Sequence, residues 1–304
     1  MACTIYNIAM GTGESFWLAR ILHRTSERIY RRVVCRRPLP DRLYHYTTAE
    51  GLLGILDSAK LWATDARYLN DVSEIVYAEE LIRDEIKKQL ERTAVKFQPW
   101  LAAYQNVANR VKEISESFVT CFCESGDLLS QWRAYGTNGG FSIGFSGKGL
   151  LELPNCHVVR IEYDETMQRE TIRETLELHL HLVAEARENG TQQDINHISG
   201  NLGAQLSLYA LAFKHSSFAE EREWRAIALT EELPPVRFRH AQGLLRPFVE
   251  VPLTHHMTPS MPLVSVTHAP SAAPELTKRS LERLLHTKGY RAAVVSGSDI
   301  PLRP

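Results

Sequence analysis

The stretch Phe118-Val119-Thr120-Cys121-Phe122-Cys123 constrains the fold more than any other. Its aromatic and β-branched residues read as a strand, buried enough to carry two cysteines on one face. Glu124-Ser125-Gly126-Asp127 follows as turn and cap, and Leu128 to Tyr135 then makes two helical turns. Gly136-Thr137-Asn138-Gly139-Gly140 ends that helix, and Phe141-Ser142-Ile143-Gly144-Phe145 is a further strand whose glycine permits close backbone approach. Isolated short strands are not stable in water, so a sheet must be assembled around these two.

Candidates for that sheet recur along the chain: Arg42 to Thr48, Leu61 to Thr64, Val158 to Tyr163, Trp224 to Leu229, Phe248 to Val251, Leu263 to Val266 and Ala292 to Ser296. Amphipathic helices lie between them. One follows Thr48, a plausible N-cap, with Leu52, Leu53, Ile55 and Leu56 as its apolar stripe. Asn70-Asp71 or Ser73 caps a long helix through Ile86, and a second is predicted from about Trp100 to Ser115. Further helices run from Thr166 to about Glu188, from Ile195 to Phe213 and from Pro274 to His286. There are no repeats, no low-complexity tract and no clear linker after residue 40, so a single α+β domain over 41–304 is the economical reading.

Residues 1–40 stand apart as a basic amphipathic arm. Trp17, Leu18, Ile21, Leu22, Ile29, Val33 and Val34 fall near helical spacing among Arg20, Arg24, Arg28, Arg31 and Arg32, and Pro38 and Pro40 close the segment. Such an arm can lie on a membrane surface, on nucleic acid or on a partner, or it can dock on its own domain. Elsewhere charge offers no lead. With 35 Lys and Arg against 36 Asp and Glu, a nucleic-acid or anionic-membrane partner finds no support in overall charge. The five cysteines are not spaced as a zinc site, and no apolar run is long enough to span a bilayer. A reduced, cytoplasmic protein without a metal is the expectation.

The chemistry-bearing stretch is Ser217 to Leu229. Strand alternation puts Glu221 and Glu223 on one side, roughly 7 Å apart. Two carboxylates on one ledge can bind a cation, perform acid/base work, or hold a sugar hydroxyl beside a developing positive charge. The same residues also read as a solvated strand start cross-paired with Arg222 and Arg225. His45, between Tyr44 and Tyr46, points to the opposite face from both. Trp132 and Tyr135, three apart on a helix, emerge on one side, where they can stack on a flat ring or simply pack on a sheet.

Leu43-Tyr44-His45-Tyr46-Thr47, Leu69-Asn70-Asp71 with Glu74, Cys121-Phe122 leading to Trp132 and Tyr135, Glu221-Arg222-Glu223-Trp224-Arg225 and the closing Ser298 to Arg303 occur in an order that resembles the bacterial domain-of-unknown-function 2971 family, over roughly residues 42–303. That family is distantly similar to the ADP-ribosyltransferase fold, which implies a split β-sheet core with helical insertions. It also implies a function: an NAD-dependent ADP-ribosyltransferase that cleaves the nicotinamide–ribose bond and passes ADP-ribose to a macromolecular acceptor, with a toxin or phage-defence effector as one setting. By the same resemblance His45, with Tyr46 and Thr47 beside it, holds the adenosine ribose, and Tyr135 with Trp132 stacks on nicotinamide. Glu223 is the catalytic glutamate, Glu221 the first carboxylate of a Glu-X-Glu pattern, and Asn70 a phosphate or ribose contact. The alternatives are a catalytically inactive nucleotide- or nucleic-acid-binding relative, or an NAD glycohydrolase.

Overall fold

The computed structural model describes residues 38–69, 73–102, 117–136, 139–228, 235–241, 243–254 and 260–301. The arm of residues 1–37, the Asn70-Asp71 cap and most of the helix expected from Trp100 to Ser115 lie outside the described residues. In chain order the elements are β1 (Arg42–Thr47), α1 (Ala49–Ser58), β2 (Lys60–Asp65), α2 (Ser73–Arg92), β3 (Phe118–Cys123), α3 (Leu129–Tyr135), β4 (Phe141–Ser146), α4 (Gly147–Leu151), β5 (Cys156–Arg160), α5 (Glu165–Asn189), α6 (Gln192–Ala212), β6 (Glu223–Ala228), β7 (Arg237–Ala241), β8 (Leu244–Pro252), β9 (Leu263–His268), α7 (Pro274–Thr287) and β10 (Val294–Gly297). The mixed α+β architecture expected from the sequence is the one that forms. No described helix is long and apolar enough to cross a membrane.

The chain divides into two compact units, both drawn from the region 41–304 that reads as one domain in the sequence. One takes its described residues from 69–116 and 160–218, the other from 38–68, 117–159 and 219–304. The first is helical. Asp164 caps α5 by accepting from the Thr166 and Met167 amides, and Thr191 with Asp194 forms a reciprocal capping box on α6. These start signals fix both helices locally. Leu182, Val183 and Ala186 of α5 then bury against Ile198 of α6. Lys214, just past α6, pairs with Glu74 of α2 at 2.7 Å, both side chains buried.

The second unit is built on a mostly antiparallel sheet in the order β10-β9-β4-β1-β3-β2-β8-β7, with β6 paired to the remaining edge of β3 and β5 to β6. The β9–β10 pair is parallel. Every residue of β3 has a partner on β6, from Phe118↔Ala228 to Cys123↔Glu223. The opposite edge of β3 is shared. β2 pairs there only with Phe118 and Val119, and β1 only with Cys123. The sheet therefore splits at β3, into a β1-β4-β9-β10 branch and a β2-β8-β7 branch.

Period-2 alternation gives the sheet two unlike faces. The first carries Leu43, Leu61, Ala63, Phe118, Phe122, Ile143, Phe145, Trp224, Ala226 and Val266, closed over by Leu52, Ile55 and Leu56 of α1, Leu150 of α4 and Leu281 and Leu285 of α7. This is the hydrophobic core. On the second face Tyr44 and Tyr46 of β1 and Cys123 of β3 gather with Trp132, Leu128, Ala269 and Ile300.

Gly144 shows how tightly the second face closes. A Cβ there would lie 2.3 Å from Ser265 Oγ and 2.9 Å from Tyr44 Cε1, so the strand glycine is required by the neighbouring strands β1 and β9. Gly144→Ala is expected to destabilise the sheet unit by about 1–3 kcal/mol, read as a lower thermal midpoint, with little change for Gly54→Ala, where a Cβ meets nothing within 4 Å.

Candidate functional site

The split of the sheet positions His45. Between the residues of β3 that pair with β2 and the one that pairs with β1, the His45 ring reaches Cys121, its Nδ1–H donating to the carbonyl at 2.9 Å. A carbonyl can only accept, so Nδ1 carries the proton and Nε2 of the neutral ring keeps its lone pair. The ring tilts on Phe122 at a centroid distance of 5.9 Å. Burial lowers the His45 pKa, as does the Arg239 guanidinium, against the opposing effect of the Cys121 bond. This histidine both fills the gap in the ladder and stays neutral.

Glu223 stands on the adjacent side of β3. Glu223↔Cys123 and Cys123↔Tyr44 form one row across β6, β3 and β1, so the glutamate is two strand spacings, roughly 10 Å, from the residue before His45. The row lies on the second face, whereas His45 alternates with Tyr44 and Tyr46 to the first. Arg225, two residues on, shares the face of Glu223 and holds both its oxygens, Nε to Oε1 at 2.7 Å and Nη2 to Oε2 at 3.0 Å. With 7 % and 2 % exposure, the two form a buried, bidentate pair.

The shared ledge expected for Glu221 and Glu223 does not form by strand alternation. Glu221 ends a 3₁₀ turn, Ser216–Glu221, and the strand begins only at Glu223. Between them Arg222 takes a left-handed conformation, φ 44°, which breaks the period-2 relation. Local bonds hold this corner: Cys123 Sγ donates to the Glu221 carbonyl and the Glu124 amide to that of Arg222. Burial pushes the Cys123 thiol up to about 11, so it stays protonated as the donor. What shares the strand face with Glu223 is a cation.

The other expected contacts divide by burial. Tyr46 is a strut: its hydroxyl donates to the Ser125 carbonyl and accepts from the Leu128 amide, and burial raises its pKa. Thr47 lies against Gly51, where a Cβ would meet its hydroxyl. Trp132 is fully buried, its ring edge-on to Tyr46 at 4.8 Å and its Nε1 donating to Asp127 Oδ1 at 2.5 Å. It presents no open face for stacking, the packing alternative left open by the sequence. Asp127 also accepts from Ser298 Oγ and the Asp299 amide, which fastens the chain after β10 to the same corner. Tyr135, at 39 % exposure, is the more accessible ring of the pair. Asn70 lies outside the described residues.

A group of residues absent from the expected set stands on the β2-β8-β7 branch. Arg239 and Arg246 are direct partners across the β7–β8 hairpin. Arg239 Nη2 donates to Thr64 Oγ1 at 2.9 Å, and its guanidinium lies 5.5 Å from the centre of the Trp62 ring. Burial and then the charge of Arg246 pull Arg239 below the usual guanidinium range, and the Tyr135 phenol acts the other way. Arg239 thus lies within electrostatic reach of both His45 and Tyr135. A signal was present in Val236-Arg237-Phe238-Arg239-His240, which alternates like a strand, and in Gly243, which turns the hairpin at φ 75°.

Among the described residues no group of three or more His, Cys, Asp or Glu side chains is placed to hold a metal ion. A family model described as a protein of unknown function (DUF2971) matches residues 131–226, which supports that family over α3 to β6. No curated protein and no solved structure matches the chain.

Two outcomes follow from this geometry. Arg225→Met removes the bidentate cation from a buried carboxylate and is expected to cost about 3–5 kcal/mol, measured by denaturant unfolding. His45 is neutral when folded, with a lowered pKa, but protonates near pH 6.5 when unfolded. The unfolded chain then binds the extra proton below pH 6.5, so stability falls on acidification and levels off below the folded-state pKa. From pH 7.5 to 5.0 the thermal midpoint of His45→Gln should drop less than that of the wild-type chain.

Proposed function

We propose that the protein is an NAD-dependent ADP-ribosyltransferase acting at the split edge of β3. The observation that supports this reading is a carboxylate on β6 held through both oxygens by Arg225, with His45 of β1 hydrogen-bonded to the intervening strand β3 from the other face of the sheet. A carboxylate has about four acceptor positions. Arg225 occupies two of those on Glu223, one on each oxygen.

Cleavage of the nicotinamide–ribose bond develops positive charge on the sugar. A carboxylate bound to the ribose 2'-hydroxyl stabilises that charge as it appears, which lowers the barrier more than it tightens substrate binding. Arg225 fixes the orientation of Glu223 in advance. A dinucleotide spanning the divergence of β1 and β2 would meet His45 Nε2 as an acceptor for a ribose hydroxyl and Tyr135 as a ring for the nicotinamide. Glu221, on its separate turn, would orient the acceptor. A macromolecular acceptor makes the reaction a transfer, of use to a toxin or phage-defence effector, and water makes it hydrolysis.

A second reading, a nucleotide-binding relative without turnover, is favoured by the burial of Glu223 and its engagement through both oxygens. The two are separated by incubating the full chain with labelled NAD and cell extract. The wild-type chain should release nicotinamide and label a macromolecule. Glu223→Gln should lose about 100-fold or more in turnover with NAD affinity within a few fold. Full activity in Glu223→Gln overturns the assignment, and binding without any nicotinamide release supports the second reading.

A further inference from the structure

We propose that Arg239 and Arg246 form a phosphate-binding site on the β7–β8 hairpin, taking the pyrophosphate or phosphodiester of a nucleotide ligand. The pairing itself is the first observation. Arg239 and Arg246 are direct partners on the antiparallel ladder, so two guanidinium groups lie side by side on one face of the hairpin, an arrangement that an anion can bridge.

The second observation is an unmet donor. Arg239 Nε is buried yet has no hydrogen-bond partner among the described residues. Buried polar groups are nearly always satisfied, and an orphaned guanidinium N–H marks a place for an acceptor. Arg239 is also held in advance, by Thr64 Oγ1 at one nitrogen and by the Trp62 ring. Pre-orientation of the planar fork reduces the entropy lost on binding a phosphate, which guanidinium recognises through two parallel N–H donors.

The neighbouring cation behaves differently. Arg237, on the same face of β7, donates to Glu250 Oε1 at 2.8 Å, and the other oxygen of Glu250 takes Lys60 at 2.6 Å. Glu250 is thus committed to Arg237 and Lys60, and Arg239 has no ion pair among the described residues. The site stands independently of NAD cleavage, because it needs only a phosphate. If the enzymatic reading holds, it takes the donor's pyrophosphate or the backbone of a nucleic-acid acceptor.

The test is a titration of the full chain with three probes: inorganic pyrophosphate, ADP and a single-stranded oligonucleotide. Binding of at least one, weakened about 10-fold or more in Arg239→Gln and in Arg246→Gln but less than about 2-fold in Arg237→Gln, is the expected result. Pyrophosphate or ADP binding as tight as that of the oligonucleotide identifies the compact source. Tighter oligonucleotide binding with a steep loss in salt identifies a nucleic-acid backbone. No binding of any probe by the wild-type chain, or unchanged binding in both folded variants, overturns the site. A pyrophosphate-induced rise in thermal midpoint that persists in Thr64→Val and vanishes in Arg239→Gln would separate the charge from its support.

Discussion

The sheet unit depends on how β3 distributes its hydrogen bonds. One edge runs in full register with β6, and the other is divided between two strands that move apart. Backbone carbonyls inside a protein need donors, so a strand that loses its neighbour halfway along must be served by something else. At Cys121 that donor is the His45 ring. The imidazole is held in one tautomer by the same bond, and desolvation in its half-buried position lowers its pKa. A residue that completes the backbone ladder is thereby presented in a fixed chemical state at the one place where two branches of the sheet separate.

The two faces of this sheet follow different rules. The first carries the large apolar cluster and is covered by α1, α4 and α7, so most of its energetics are those of ordinary burial. The second carries charge and hydrogen-bonding groups in ordered positions: the Glu223–Arg225 pair on β6, the Tyr46 strut, and the Asp127 corner that collects Trp132, Ser298 and Asp299. Buried ion pairs contribute little net stability, since desolvation offsets most of the attraction. On a strand next to the split, such a pair fixes the geometry of both side chains.

Local signals in the sequence carried the elements well. The Phe118 to Cys123 strand, the Thr48 cap and the glycine in Phe141 to Phe145 each have a short-range cause and form as expected. Site residues were legible in identity but not in relation. Glu221 and Glu223 are two apart in sequence, yet a single left-handed residue, Arg222, separates them into different elements. Trp132 and Tyr135 share a helix but not an environment, because only Trp132 meets Tyr46 and Asp127, both distant in the chain. Arg239 and Arg246 were hidden for another reason: alternation across Val236 to His240 is a short local signal, and only the pairing of β7 with β8 brings the two arginines opposite each other.

By itself the sequence determined most of the strands and helices, since caps, turns and hydrophobic period act over a few residues, but not every boundary: β7 and the start of β6 at Glu223 emerged only in the structure. It also determined that a glutamate, a histidine and several aromatics had to be accommodated in a mixed α+β fold. Only the tertiary structure decided that Glu223 faces an arginine, that His45 completes the ladder of β3, and that Arg239 lies over Trp62 opposite Arg246. Those relations depend on strand pairing between segments far apart in the chain, and pairing register is set by the packing of a whole face, not by any one stretch of residues.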